Sequence, residues 1–470
     1  MAGRTGFEKL WSAHCISDLG GGAGLILIDR VLLHERTGGV ALKSLSAAGR
    51  SVLNPQHSFA TMDHVIDTFA GRGDRTLMPT GTAFITATRD AAKASGIALF
   101  DLGDSRQGIV HVISPEQAIM LPGLTLVCPD SHTCSQGALG GLAWGIGSTE
   151  TEHALATGTL RVIKPKTMRI KISGRLPRGV TPKDLALHVL GRLGSGAAKG
   201  HVLEYSGSAI SALDLEGRLT LCNMAAELSA FTALIAPDEK VFDYLHGRPF
   251  APNGSAWEGA VAAWSDLRSD EDAAFDAEFA VNAADVSPMV TWGTSPQQAI
   301  AIGEHVPEHD KVALINTREA YERALAYMDV TAGQSLLGLP IDAAFIGSCT
   351  NSRLSDLRRA AELLKGRKVA SGVKAICVPG SSNVKLSAEA EGIDRIFLDS
   401  GFEWREAGCS MCFFAGGESF GLRERVVSST NRNFESRQGP STRTHLASPE
   451  TVAASAIAGH IADPRSIGVQ

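Results

Sequence analysis

Three cysteines occupy positions at which thiolates commonly take part in chemistry. Cys409 and Cys412 form a C-x-x-C pair in the stretch GCSMC, and Cys349 lies in GSCTNSR, directly after an apolar strand pattern. C-x-x-C pairs occur in redox couples, in zinc sites and in iron–sulfur sites. A structural zinc ion takes four ligands, whereas three thiolates can hold three irons of a [4Fe–4S] cluster and leave the fourth iron open as a Lewis acid. The residues alone leave these three alternatives open.

The remaining cysteines are interpreted for the most part as small, buried apolar side chains. They are Cys15, Cys128, Cys134, Cys222 and Cys377. Eight cysteines in 470 residues do not make a disulfide framework. A reducing, cytoplasmic environment is therefore expected.

Two short stretches combine histidine with a carboxylate, a pairing that moves protons near neutral pH. Asp63 and His64 are adjacent in HSFATMDH, and Asp130, Ser131 and His132 follow an apolar run in PDSHT. Ligands of α/β sheets bind at the carboxyl ends of strands, so the second stretch stands where a site is expected. Both stretches are candidate acid–base groups, although an isolated Asp-His pair is most often structural.

Other polar residues stand out against apolar or uncharged surroundings. His111 interrupts the apolar run GIVHVI, where a histidine usually belongs to the core, and Asn223 and Glu227 are four positions apart in CNMAAE, on one face of a predicted helix. Arg432 and Arg437 lie in NRNFESR amid Asn and Ser. Arginine forks bind carboxylates bidentately, so these two would suit a di- or tricarboxylic acid, and a solvated basic face is the alternative.

The composition is that of a globular protein. Hydrophobic residues make up 44% of the chain and charged residues 20%, and the net charge is −6. The acidic balance argues against a nucleic-acid surface. The N-terminal stretch lacks the apolar core of a signal peptide, and the Gly- and Ser-rich run 133–149 is interpreted as a buried helix or loop rather than a membrane span. Neither nucleic acid nor a membrane is expected as a partner.

Strand and helix patterns alternate along the chain, which predicts α/β layers around parallel sheets. The apolar runs interpreted as strands are 25–35, 108–113, 124–132, 167–174 and 343–350, and the helical stretches between them include 149–160 and 353–370. Changes of composition at 160–167 and 264–288 predict three domains, which are 1–165, 166–288 and 289–470.

Six of these segments together resemble the aconitase family. DSHT, CNMAAE, VTWGTSP, IGSCTNSR, GCSMC and NRNFESRQG occur in that family's order, and the similarity runs from FEKLWSAH to IAGHIAD. The resemblance implies a three-domain α/β/α core with the cluster site between the domains, and an iron–sulfur hydro-lyase. The implied reaction is loss and re-addition of water, which moves a hydroxyl between neighbouring carbons of a malate derivative; 3-isopropylmalate is the favoured substrate.

The resemblance also implies a role for each candidate residue. Cys349, Cys409 and Cys412 match the three ligands of a [4Fe–4S] cluster that has one open iron. Asp63 and His64 match a pair that assists departure of the hydroxyl. The other matches are the hydrogen-bonded pairs His111–Asp130 and His132–Glu227, the substrate-binding residues Ser131 and Asn223, and the substrate-binding arginines Arg432 and Arg437.

One part of the family's machinery has no counterpart in this sequence. The family's swivelling fourth domain carries a Ser-Arg motif that supplies the base removing the carbon-bound proton, and PGSSNVK (379–385) lies inside the matched core and is not that motif. The resemblance therefore implies a heteromeric enzyme in which a small subunit carries the swivelling domain on a separate polypeptide.

The sequence departs from the family pattern at positions near the matched motifs. Another hydroxy-diacid, of the 2-methylmalate, dimethylmalate or homoaconitate type, is therefore an alternative substrate. The departures are Cys134 and Gln136 after DSHT, Ser229 and Ser436 where glycine is usual, and the segment 413–421.

Two interpretations outside the hydro-lyase class are an RNA-binding relative without a cluster and a structural zinc protein. The presence of all three cysteines and the acidic net charge argue against the former.

Overall fold

A computed structural model describes residues 3–311, 317–414 and 417–467. The chain forms two compact units, each assembled from separated stretches. Unit 1 consists of Met1–Val65, Thr80–Ser173 and Ala198–Val281, and unit 2 of Ile66–Pro79, Gly174–Ala197 and Asn282–Gln470. The mixed α/β class expected from the sequence is confirmed, whereas the three domain boundaries stay a prediction.

Unit 1 contains three sheets. Its strands are β1 (Cys15–Gly20), β2 (Ala23–Leu27), β3 (Arg30–His34), β4 (Ser58–Thr61), β5 (Ala98–Phe100), β6 (Thr125–Cys128), β7 (Leu142–Gly145), β8 (Thr159–Ile163), β9 (Lys166–Ser173), β10 (His201–Ser206), β11 (Thr232–Leu234) and β12 (Ala277–Asn282). They form a parallel sheet of order β5-β4-β3-β6-β7, an antiparallel sheet β1-β2-β8 and a sheet β11-β10-β9-β12.

Helices cover the sheets of unit 1. They are α1 (Gly6–His14), α2 (Gly38–Ala47), α3 (Gly81–Ser95), α4 (Val110–Glu116), α5 (Ser148–Thr157), α7 (Ser208–Ala212), α8 (Leu215–Met224), α9 (Glu239–Leu245) and α10 (Ser255–Ser265). Every residue of β4 and β6 is buried, as parallel strands covered on both faces require. This burial explains the apolar run that contains β6, whereas the buried strand β4 begins with Ser58 and ends with Thr61.

Unit 2 is built around a second parallel sheet, of order β17-β16-β15-β18-β19, with a small antiparallel pair β13-β14. The strands are β13 (Met289–Thr291), β14 (Ala299–Ala301), β15 (Ala343–Ile346), β16 (Lys374–Cys377), β17 (Phe402–Trp404), β18 (Arg425–Ser428) and β19 (Arg443–Leu446). The helices are α6 (Pro182–Leu193), α11 (Arg318–Met328), α12 (Leu354–Leu364), α13 (Ser382–Ala390), α14 (Ile393–Ser400) and α15 (Pro449–Ala458).

Two local predictions are wrong. The run 108–113 forms the start of α4 rather than a strand; all residues of α4 are buried, and a short apolar run does not distinguish a buried helix from a buried strand. Asn223 and Glu227 do not share one α-helix, because α8 ends at Met224 and Glu227 lies in a 3-10 turn, Ala225–Leu228. The other predicted strands contain β3, β6 and β15, and they overlap β2 and β9, which begin two residues and one residue earlier than predicted.

None of the helices in the described part of the chain has the length and apolar character that a bilayer span requires.

Candidate active site

The candidate acid–base residues of unit 1 follow the carboxyl ends of neighbouring parallel strands. Asp63 and His64 come directly after β4, and Asp130, Ser131 and His132 come after β6, with β3 between the two strands. Because the carboxyl ends of parallel strands meet at one edge of a sheet, residues far apart in sequence become neighbours here. The structure thus brings the two sequence motifs together within unit 1.

Asp63 and His64 form a hydrogen-bonded pair. Nδ1 of His64 lies 2.5 Å from Oδ1 of Asp63, and the other carboxylate oxygen accepts the backbone amide of Val110 at 2.9 Å. Asp63 is fully buried; burial alone would raise its pKa, but the charge and hydrogen bond of His64 outweigh burial and lower it. The pair therefore presents Nε2 of His64 for proton exchange while Nδ1 is held by the carboxylate.

Asp130 is the centre of this cluster. Its Oδ1 lies 2.8 Å from Nε2 of His111 and accepts the backbone amide of His132 at 2.7 Å, while Oδ2 lies 3.4 Å from Nε2 of His64. Burial would raise the pKa of Asp130, but the charge and hydrogen bond of His111, followed by the bonds to His132 and His64, hold this pKa well below its usual range. Asp130 therefore orients the histidines as a carboxylate and is not a proton donor near neutral pH.

His132 makes the second predicted pair. Its Nε2 lies 3.0 Å from Oε1 of Glu227. Its Nδ1 lies 3.4 Å from Oγ of Ser131, which is an exposed residue. Asn223 is fully buried and reaches this region indirectly, because its amide donates to Ser135 at 2.9 Å and Ser135 donates to the carbonyl of His132. The pairing of His132 with Glu227 thus has the geometry of a hydrogen bond, and Asn223 supports the turn that carries His132.

Sequence reasoning missed two residues of the same cluster, His34 and Glu35. The fully buried carboxylate of Glu35 accepts the backbone amides of Asp63 at 3.0 Å, His64 at 2.7 Å and Val65 at 2.5 Å. Burial, aided by the charge of Asp63, raises the pKa of Glu35 to about 7. The available signal was position, because His34 ends β3 and Glu35 follows it, at the same sheet edge as the predicted motifs.

His34 packs against the catalytic candidate His64. Their rings are stacked with centroids 4.0 Å apart. Burial and the charge of His64 lower the pKa of His34 to about 4. His34 is therefore a neutral imidazole near pH 7. The ends of β3 and β4 approach each other closely. One ring nitrogen or one carboxylate oxygen from each of four side chains lies within 4.8 Å of the other three; the four are His34, Glu35, Asp63 and His64.

In unit 2, the three candidate cluster cysteines are all buried thiols on loops that follow strands of the parallel sheet. Cys349 follows β15, and Cys409 and Cys412 follow β17, where the amide of Cys412 donates to the carbonyl of Cys409 at 2.9 Å. Ser348 connects two of them, with its Oγ 3.2 Å from Sγ of Cys412 and 4.0 Å from Sγ of Cys349. None of the eight cysteines, all of which lie in the described residues, forms a disulfide; Cys15 is half-buried and the other seven are buried.

Polar donors surround these sulfurs. Asn431 donates to Sγ of Cys349 at 3.5 Å, and the guanidinium of Arg437 donates to Sγ of Cys412 at 3.9 Å. The guanidinium of Arg437 also lies over the rings of Phe413 and Phe434, at 5.3 and 5.0 Å from their centroids. Hydrogen-bond donors and a cation stabilise anionic sulfur, so this donor set fits an iron–sulfur cluster held by three thiolates. Arg432 is half-buried in the same loop after β18.

The two serines that replace glycine adopt the backbone conformation that favours glycine. Ser229 has φ +60° and Ser436 has φ +62°, in the left-handed region where a Cβ is costly. Gln136 is fully buried and donates to the carbonyl of His111 at 3.2 Å, so this departure touches the acid–base cluster. Residues 415 and 416 of the departing segment 413–421 lie outside the described residues.

Comparison with known proteins identifies the family of the chain. The profile of the aconitase family (aconitate hydratase) matches residues 8–459. The chain therefore belongs to the aconitase family and is a hydro-lyase, as its motifs predicted. It is 50% identical over 465 residues to 3-isopropylmalate dehydratase large subunit 1 of Bradyrhizobium diazoefficiens, a match that covers 99% of this chain and 97% of the relative. Members of the family generally hold a [4Fe–4S] cluster, and the relative's name describes one part of a multisubunit enzyme.

Proposed function

We propose that this chain is the large subunit of a 3-isopropylmalate dehydratase, which interconverts 2-isopropylmalate and 3-isopropylmalate by loss and re-addition of water. The observation that carries the proposal is the 50% identity to a relative of that name over nearly the whole of both chains. The buried acid–base cluster and the three buried thiols, each at a sheet edge of its unit, support it.

Cys349, Cys409 and Cys412 would hold the cluster, and Asn431, Ser348 and Arg437 would stabilise the sulfurs through the contacts described above. When bound, a cluster with three protein ligands supplies a Lewis-acidic iron that polarises the substrate's hydroxyl and carboxylate. Arg432 and Arg437 would bind the carboxylates of the substrate, for which the planar guanidinium fork is suited.

His64 would give the departing hydroxyl its proton from Nε2 and take a proton back from water in the reverse reaction. Asp63 fixes the imidazole through Nδ1, and Asp130 lies 3.4 Å from Nε2, which favours the protonated ring. His111 holds Asp130 in place through Oδ1, and Nδ1 of His132, whose other ring nitrogen pairs with Glu227, lies 3.6 Å from the same oxygen. These pairs would orient the substrate and hold the imidazole of His64 in the position that the reaction needs.

Elimination also needs a base aimed at the carbon-bound proton, because that proton is weakly acidic and the position of the base governs the rate. No segment of this sequence matches the family motif that carries the base. The base and a further arginine would come from a small subunit that carries the swivelling domain.

The decisive experiment is an anaerobic assay of the full chain with a reconstituted cluster, alone and with a candidate small subunit added. We expect negligible turnover from the chain alone and full turnover in the complex, with the highest kcat/KM for 3-isopropylmalate in a panel that includes 2-methylmalate, dimethylmalate and homoaconitate-type acids. Full turnover by the isolated chain would contradict the two-subunit assignment, and a higher kcat/KM for another acid would replace the substrate.

A further inference from the structure

A buried carboxylate that the family resemblance did not assign lies beside the cysteine turn of unit 2. Glu418 is 3% exposed and lies six positions after Cys412. Its carboxylate accepts the amide of Thr68 at 2.5 Å, the hydroxyl of Thr68 at 2.9 Å and the hydroxyl of Ser410 at 2.5 Å. Arg405 compensates the negative charge, with Nη1 2.8 Å from the carboxylate. A single side chain thus joins three separate stretches of unit 2.

Ser410 is the residue through which Glu418 acts on the turn. It stands between Cys409 and Met411 and has φ +46°, a left-handed conformation that is unfavourable for a residue with a Cβ atom. Such a conformation persists where the surroundings hold it. The hydroxyl of Ser410 is held by Glu418 at 2.5 Å and lies 3.1 Å from that of Thr68. These bonds therefore help to set the directions in which the side chains of Cys409 and Cys412 point.

The stretch that contains Thr68 is itself anchored to the residues before the cysteines. The carbonyl of Thr68 accepts the amide of Glu406 at 2.8 Å, and Arg72 donates to the carbonyl of Ala407 at 2.5 Å. The aromatic ring of Phe69 lies 4.5 Å from the guanidinium of Arg405. Glu418 therefore bonds the cysteine turn to a stretch that has further hydrogen bonds, to Glu406 and Ala407, which do not involve Glu418.

We propose that Glu418 is a positioning residue for the iron–sulfur cluster: it fixes the Cys409–Cys412 turn, through Ser410, in the conformation that presents both thiolates. The inference rests on the proposed function, because it presupposes that these cysteines hold a cluster. Glu418 does not contact the sulfurs, so its effect is expected on the retention and symmetry of the cluster rather than on its chemical type.

Glu418→Gln tests this inference, because it keeps the size of the side chain and removes the charge and one acceptor. The matched control is Glu403→Gln. Glu403 pairs with Nε and Nη2 of the same Arg405, but its side chain is 48% exposed. Ser410→Ala is a second variant, which removes the hydroxyl and leaves the Glu418–Arg405 pair in place.

The measurements are iron and sulfide content after anaerobic reconstitution of the full chain, the rate of iron loss to a chelator, and the electron paramagnetic resonance spectrum. Glu418→Gln should lose iron about tenfold faster than wild type, as expected for one missing charge-assisted hydrogen bond, and its spectrum should broaden. Ser410→Ala should change the same quantities in the same direction, and Glu403→Gln should match wild type.

Wild-type iron loss and spectrum in both Glu418→Gln and Ser410→Ala would overturn the positioning role while leaving the proposed function intact. Equal losses in Glu418→Gln and Glu403→Gln would also overturn it, because the effect would then belong to Arg405. A wild-type chain that takes up no iron and sulfide would instead overturn the proposed function, and this inference with it.

Discussion

Nε2 of His111 lies 2.8 Å from Oδ1 of Asp130, so a buried imidazole on α4 holds a carboxylate that follows β6. The same oxygen accepts the amide of His132 at 2.7 Å. Asp130 thus keeps its charge through neighbours that come from different parts of unit 1. This arrangement has consequences for stability as well as for proton transfer.

The ionised Asp130 is expected to stabilise the fold in a pH-dependent way. Its pKa in the folded state is well below the usual value of 3.8, so its contribution is fully present above that value and is lost as the pH falls through the folded-state pKa. Asp130→Asn should lower the unfolding free energy at neutral pH by roughly 1.5–3 kcal/mol, the range for hydrogen bonds to charged groups, and the difference from wild type should shrink below about pH 4.

Urea unfolding followed by circular dichroism between about pH 3 and pH 7 would measure this difference. The exposed Asp90→Asn on α3 is the control and should change stability little at any pH. A loss in Asp130→Asn that is the same at every pH would show that the histidines do not hold Asp130 in its charged form.

Glu35→Gln should damage catalysis more than folding. The carboxylate of Glu35 accepts three consecutive amides that carry Asp63 and His64, whereas an amide side chain offers one acceptor oxygen and turns a donor toward the same backbone. We expect kcat of the complete enzyme to fall roughly tenfold to a hundredfold with KM little changed, because the misplaced His64 acts in the transition state.

Glu204→Gln is the matched control for Glu35→Gln. Glu204 is a buried glutamate of the same unit, which accepts the hydroxyl of Ser269 at 2.7 Å. Equal losses of kcat in the two variants, or a loss of kcat that follows the fraction unfolded, would assign Glu35 a purely structural role.

The cluster ligands can be separated from other buried thiols. Anaerobically prepared wild-type chain should contain about four irons and four sulfides. Cys409→Ser should abolish this content, whereas Cys377→Ser should leave it intact, because Cys377 is a fully buried residue of β16 whose pKa is raised well above the usual value by burial. Stoichiometric zinc without sulfide, or equal iron loss in both variants, would contradict the assignment.

Replacing either of the two serines that have a positive φ with glycine should stabilise the folded protein. Ser229→Gly and Ser436→Gly should each raise the unfolding free energy by about 0.5 kcal/mol, since relief of the left-handed backbone outweighs the entropy that glycine adds to the unfolded chain. Ser46→Gly within α2 is the control and should destabilise by roughly 0.5–1 kcal/mol. Urea unfolding measures all three, and destabilisation at 229 or 436 would show that the serine side chains contribute more than the strain costs.

The residue types and order of the motifs were sufficient to predict the family, the α/β class and the hydro-lyase activity. This was possible because the chemistry is concentrated in short stretches such as DSHT and GCSMC, which follow the strands β6 and β17 in the sequence. The apolar runs at 124–132 and 343–350 also predicted strands correctly, since a parallel strand buried on both faces has a continuous apolar sequence.

The family resemblance implied that His132 pairs with Glu227, 95 positions away, and the structure shows the two side chains 3.0 Å apart. Only the tertiary structure decided which further residues hold the site. Glu418 bonds Thr68 across 350 positions; no local pattern encodes such a distance, because sheet order and loop packing bring the two ends together. The helical state of His111 was equally hidden, since a short run buried on every side has no amphipathic period. Glu35 and Glu418 escaped sequence reasoning for the same reason: a buried carboxylate is recognised by the donors that surround it, and those donors come from other segments of the chain.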